Sequence, residues 1–292
     1  MTTRRILDFY TETAAMTRLE SHARAFDALP RDVNGLARAV QGLLLHEQWA
    51  RAYGVELASE RRAESHLRTT EQMLERICLR TPAPLTEERD LNTRLVGVCR
   101  HFSVLLVAML RAQGVPARAR CGFGAYFEPG KLVDHWVCEY WNAAQRRWLL
   151  VDAQIDALQA DAIKPAFDLF DVPRDRFVVA GDAWVQCRRG ELDPDVCGIM
   201  HMKGMWFVAG NVVRDAASLN NMEMLPWDVW GAMPAPDESV EGDALVYFDR
   251  IAALTRDPDR SFDELRDTYE HDPALHVPSR VWNAVAQRED VV

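Results

Sequence analysis

Apolar side chains recur at helical intervals through the first third of the chain. Leu36, Val40, Leu43 and Leu44 fall three or four apart, which predicts an amphipathic helix. Asp32 or Asn34 can cap its start, and Gly54 stands near its end. A second helix is predicted over 63–79, with Leu67, Met73, Leu74 and Ile77 inward, before Pro82 and Pro84 break the chain. The clearest helix follows Gly97. Phe102, Leu105, Leu106, Met109 and Leu110 share one face, and Gly114 and Pro116 stop it. Cys99 falls in its first turn.

The pattern then becomes strand-like. Residues 117–126, 135–141 and 147–151 are strand expectations, joined by turns at Glu128-Pro129-Gly130 and Asn142-Ala143-Ala144. A helix followed by antiparallel strands predicts an α+β domain. Beyond Asp156 short strands are expected at 176–180 and 205–208, an exposed acidic loop at 236–243, and a charged surface segment at 257–267. No internal repeat or low-complexity segment occurs. The chain divides into a helical section (1–85), a core (86–192) and an extension packing on that core (193–292).

Composition narrows the class. The 292 residues are 48% hydrophobic and 27% charged, the balance of a globular protein rather than a disordered one. Thirty-four basic against 44 acidic side chains give a net charge of −10, which argues against nucleic acid or an anionic membrane surface as the main partner. The longest apolar run, 104–110, is far short of the roughly 20 residues that cross a bilayer. Asp8 and Glu12 interrupt any leader-like apolar stretch at the start, so a cytoplasmic location is expected. The six cysteines are then expected to be reduced thiols.

A thiol nucleophile needs a lowered pKa, and a helix N-terminus favours the thiolate through its free N–H groups and its dipole. Cys99 has that position. A histidine must accept and later return the proton, and an acid must orient that histidine. His135 and Asp152 lie on neighbouring strand candidates, where side chains of matching phase can meet on one face.

Four pieces occur in order between Gly97 and Asp152: Gly-Val-Cys opening a helix, Gly-Val-Pro-Ala-Arg after it, the strand segment DHWVCEYW, and the strand segment RRWLLVD. Together they resemble the core of the transglutaminase-like superfamily. The segments DVPRDRFVVAGDAW (171–184) and LPWDVWG (225–231) resemble bacterial transglutaminase-like proteins that have no known substrate. The resemblance implies a papain-like fold, with a catalytic helix packed on an antiparallel sheet. It further implies a triad of Cys99 as nucleophile, His135 as general base and acid, and Asp152 as the orienting carboxylate. Two positions depart from the family pattern. His101 stands where an acidic residue is common, and Ala153 follows the triad acid where proline is common.

The reaction implied is acyl transfer from an amide or peptide-like substrate through a Cys99 thioester, with hydrolysis favoured over transfer to an amine because water needs no second binding site. The backbone N–H of Cys99 is one oxyanion donor, and Gln41, His46 and Trp49 are candidates for the other. His101, Trp136 and Gln154 are candidate substrate contacts. Peptide, protein, small amide and thioester substrates remain open, as does the oligomeric state. No cofactor and no metal are expected. The Gly124–Gly130 spacing is wrong for a phosphate loop, and strand alternation sends His135 and Cys138 to opposite faces. The rival readings are a non-catalytic peptide-binding module using the same cleft and a metal-dependent hydrolase. Arg118 is expected to pair with a buried acid. Trp136, Trp141, Trp148, Trp206, Trp227 and Trp230 are expected as core aromatics, and His201 as a structural residue.

Overall fold

The structure, a computed structural model describing residues 2–292, is 42% helix and 17% strand, so the α+β expectation is borne out. The chain forms two compact units. The first runs through Ala119 and takes in Val137–Val172. The second comprises Arg120–Trp136 and Pro173–Val292.

In the first unit, helix α1 (Thr2–Thr11) precedes α2 (Val33–Leu43), β1 (Leu44–His46), α3 (Ser59–Arg62), α4 (Thr70–Arg80), β2 (Leu95–Gly97) and α5 (Cys99–Ala112). Strands β3 (Ala117–Gly124) and β4 (Leu132–Asn142) each pass along the chain from one unit into the other, and β5 (Arg147–Val151) and α6 (Ala157–Ile163) complete the first.

Asp32 caps α2 as expected: its carboxylate accepts a hydrogen bond from the Gly35 N–H at 2.8 Å. The predicted helix ends earlier than its periodicity implies. Leu44 leaves it to start β1, which pairs in parallel with β2 (Leu44↔Leu95, His46↔Gly97), and Gly54 instead closes a 3₁₀ segment over Glu47–Tyr53. Pairing to a distant strand outweighs one more turn of local periodicity. The helix expected from 63 begins only at Thr70. Ala63–His66 form a 3₁₀ turn, and Thr69 and Gln72 make a capping box that starts α4 with Met73, Leu74 and Ile77 buried.

Helix α5 packs against α1, α2 and α4. Every residue from Cys99 to Arg111 is buried, so the single apolar face read from its spacing is part of a helix enclosed on all sides. Gly114, at φ 75°, and Pro116 end the segment as expected. The Arg147–Val151 strand is observed as expected and pairs antiparallel with Cys138–Asn142. Arg118 pairs with the buried Glu139 (Nε to Oε2, 2.5 Å), and its guanidinium lies 4.0 Å from the Trp148 ring centre.

The second unit contains β6 (Phe177–Val179), α7 (Ala180–Arg188), β7 (Cys197–Ile199), β8 (Met202–Lys203), α8 (Met205–Leu219), β9 (Asp228–Val229), α9 (Asp243–Arg256), α10 (Phe262–His271), β10 (Arg280–Asn283) and β11 (Arg288–Val291). Here β3 pairs antiparallel with β6, and β4 pairs in parallel with β7 (Leu132↔Cys197). Helices α7, α8 and α9 pack on one another. The strand expected at 205–208 is the first turn of α8; a four-residue apolar run fits either structure, and Gly204, at φ 102°, sets the break that lets a helix start. His201 is exposed in the β7–β8 turn rather than structural. The 257–267 segment, expected at the surface, exposes Asp257, Arg260, Asp263, Glu264 and Asp267 but buries Pro258 and, in α10, Phe262 and Leu265.

Arg120 and Asp215 anchor α8 to β3 with both carboxylate oxygens engaged, at 3.0 and 2.8 Å, and the Cys121 N–H donates to the same carboxylate at 2.9 Å. No helix among the described residues is long and apolar enough to cross a membrane.

Candidate active site

Cys99 is the first residue of α5 and is 7% exposed. The β1–β2 pair delivers it. Leu95, Val96 and Gly97 are buried in register with Leu44, Leu45 and His46, and Val98 turns the chain into the helix with φ −121° and ψ 174°. Val98 has no side-chain oxygen, so the N-cap side chain does not occupy the first-turn donors.

His101 serves the helix start instead. Its Nδ1 accepts from the Val98 N–H at 3.1 Å, and its Nε2 donates to the Leu67 carbonyl at 3.0 Å. The ring is fully buried. Burial, reinforced by the neighbouring Arg100 charge, lowers its pKa to about 3, so it is neutral beside the thiol. A ring held this way offers no nitrogen to a substrate. Gly97 is required for its approach, because a Cβ there would meet His101 Cβ and Cγ at 2.9 Å.

Asp152 follows β5 directly and is 1% exposed. Its backbone N–H donates to Leu169 O at 2.9 Å, and its Oδ1 accepts from the Gln154 N–H at 3.0 Å. Gln154 is buried. Its Nε2 donates to Gln159 Oε1 at 2.9 Å, while its own Oε1 has no hydrogen-bond partner among the described residues. Gln159 Nε2 donates to the Tyr53 hydroxyl at 3.1 Å, and that hydroxyl donates to Asp156 Oδ2 at 2.7 Å.

Of the candidates for a second oxyanion donor, Gln41 donates to Ile155 O at 3.1 Å, and His46 Nδ1 accepts from the Gln48 N–H at 3.3 Å. Trp49 is partly exposed.

His135 lies on β4 in the second unit, whereas Cys99 and Asp152 belong to the first. The imidazole is 2% exposed and ringed by aromatics: Phe127 at 4.7 Å, Tyr126 at 6.1 Å and Phe177 at 6.3 Å between ring centres, all edge to face. Tyr126 and Phe127 come from the 125–131 loop. Gly124 permits this fold-back, since a Cβ there would sit 2.6 Å from Phe127 Cε2. The neighbouring Asp134 accepts from Asn211 Nδ2 at 2.7 Å, and burial raises its pKa. Trp136 is buried, and its Nε1–H has no partner among the described residues.

All six cysteines are free. Cys121 and Cys138 are buried strand residues, and burial pushes the Cys138 thiol well above its ordinary value. The Cys187 thiol is lowered by a hydrogen bond from Cys197, whose own value is raised. Among the described residues no three His, Cys, Asp or Glu side chains stand together as a metal-ligand set.

The motif-bearing residues were visible in the sequence. The Tyr53–Gln159–Gln154 chain and the aromatic ring around His135 were not, because neither follows from local spacing. The Gly124-x-Tyr126-Phe127 segment was the one available signal, a glycine immediately before two aromatics in a short loop.

The sequence model of the transglutaminase-like superfamily matches residues 51–153. No curated protein matches the chain significantly. Among solved structures, one from Cytophaga hutchinsonii, described as a candidate cysteine protease, is similar at 16% identity with a TM-score of 0.35, over 61% of this chain and 48% of that one. The match thus spans about half the length of that protein.

Proposed function

We propose, from the match of residues 51–153 to the transglutaminase-like superfamily, that this protein is a cysteine-dependent acyl-transfer enzyme with Cys99, His135 and Asp152 as its triad. The observation that carries the proposal is the position of Cys99: N1 of a buried helix, behind an N-cap that has no side-chain acceptor. The helix dipole and the first-turn N–H groups are directed at that position.

The other two assignments rest on the motif order, with His135 on β4 and Asp152 directly after β5.

The Cys99 thiolate attacks an amide carbonyl, and the Cys99 N–H donates to the oxyanion, an interaction worth about 3 kcal/mol when preorganised. His135 passes its proton to the leaving amine as the thioester forms. It then takes a proton from water, which attacks the thioester and releases the acid. Asp152 orients the imidazole and stabilises its charged form. An amine in place of water gives transfer, and hydrolysis is favoured because water requires no second binding site.

The test is intact-mass detection of an acyl adduct across a panel of peptides, glutamine-containing proteins, small amides and thioesters. Wild type is expected to gain one acyl mass and Cys99→Ala none. An adduct of equal yield on both proteins, or none from the whole panel, overturns the assignment.

A further inference from the structure

The hydrogen-bond chain from Tyr53 to the Asp152 loop has a direction, and one end sets it. The Asp156 carboxylate accepts from the Leu158 and Gln159 N–H groups at 3.1 Å each, as the N-cap of α6. Its remaining oxygen takes the Tyr53 hydroxyl at 2.7 Å. A carboxylate can only accept, so the hydroxyl must donate to it. The tyrosine oxygen is then left to accept, and it takes the Gln159 NH₂ group at 3.1 Å. That turns the Gln159 carbonyl toward Gln154, which must present its own NH₂ group, at 2.9 Å. Neither glutamine amide can flip without placing two donors or two acceptors face to face. Burial and the Asp156 hydrogen bond push the Tyr53 hydroxyl pKa upward, so it keeps its proton throughout the physiological range.

The relay holds the segment that presents Asp152. The Gln154 N–H donates to Asp152 Oδ1, the Ile155 carbonyl is held by Gln41 Nε2 at 3.1 Å, and Asp156 is held by Tyr53. Tyr53 itself is fixed at the end of the Glu47–Tyr53 3₁₀ segment, where Gly54 turns at φ 74°. From this geometry we infer that Tyr53 is a positioning residue for the triad acid, acting through Gln159 and Gln154 to fix the carboxylate that orients His135. The inference rests on the triad reading above.

The experiment is the pH profile of Cys99 alkylation by iodoacetamide, read by peptide mass spectrometry, with Cys187 in the same molecules as an internal comparison. The proteins are wild type, Asp152→Asn, Tyr53→Phe and Asp156→Asn, each with its melting temperature measured. If Asp152 stabilises the imidazolium beside the thiolate, weakening its position raises the thiol pKa. Tyr53→Phe should then shift the Cys99 profile toward higher pH, in the same direction as Asp152→Asn but less. At neutral pH it should be about tenfold slower than wild type, within the roughly 10²-fold that small misplacements produce. All proteins should converge at high pH, and the Cys187 profile should not move.

Asp156→Asn removes the obligate acceptor and should give the same shift, which keeps the question decidable if Tyr53→Phe fails to fold. If Asp152→Asn shifts the profile while Tyr53→Phe and Asp156→Asn only lower the melting temperature, the relay is structural and the inference fails. If wild-type Cys99 reacts no faster than Cys187 and Asp152→Asn changes nothing, the triad reading fails, and the relay role falls with it.

Discussion

His101 Nδ1 accepts the Val98 N–H at 3.1 Å, so the residue two places after Cys99 closes the helix turn that presents the thiol. Its ring is buried and neutral, with a pKa of about 3 against the ordinary 6.5. The unfolded chain protonates this histidine below about pH 6.5, while the folded chain resists protonation until about pH 3. Its contribution to stability is therefore complete above pH 6.5 and is lost as the pH falls from there toward 3. Melting temperatures measured across this window should fall more steeply with acidity for wild type than for His101→Gln, which has no titrating ring. Parallel curves would contradict the buried neutral assignment.

Gly97 faces the same ring. A methyl group there meets His101 Cβ and Cγ at 2.9 Å, and the ring is tied at both nitrogens. Gly97→Ala should cost about 1–3 kcal/mol as an overpacked core site, read as a lower urea midpoint. It should also slow Cys99 alkylation, because the strain falls on the helix start.

The Phe127 ring covers His135 at 4.7 Å. Phe127→Ala should cost about 1 kcal/mol for the lost aromatic pair and should speed deuterium exchange at the His135 ring carbon, followed by mass spectrometry. Gly124→Ala should speed the same exchange at smaller cost to stability, since its added methyl meets the far edge of the Phe127 ring rather than backbone. Unchanged exchange in both variants would show that the loop does not shield the imidazole.

Asp215 accepts two hydrogen bonds from the Arg120 side chain and one from the Cys121 N–H, all buried. Asp215→Ala should destabilise the protein by about 3–5 kcal/mol, because it strands a buried guanidinium. The double variant Arg120→Met with Asp215→Leu should recover much of that loss in the same denaturation assay. A double variant as unstable as the single one would mean the pair does more than satisfy charge.

The helices around Cys99 and the strands after it were legible because burial leaves a period in the sequence. Phe102, Leu105, Leu106 and Met109 announce a helix wherever they occur, and Arg147–Val151 reads as a strand without its partner. Cys99 at a helix start and Asp152 just past a strand end were legible for the same reason, because both are local events, whereas His135 falls inside β4 rather than at the start of the strand expected from 135.

Pairing decisions were not legible. Whether Leu44 adds a helical turn or starts a strand depends on Leu95, 51 residues away, and whether residues 205–208 extend or coil depends on the break at Gly204. What His101 does was equally hidden, since only the folded chain brings the Leu67 carbonyl to its second nitrogen. The order of residues alone marked Cys99, His135 and Asp152 as candidates and gave the strongly periodic segments, because motifs and periodicity depend on near neighbours. Tertiary structure alone decided how those side chains are held, because a hydrogen bond such as that between Tyr53 and Asp156 joins groups that spacing along the chain does not relate.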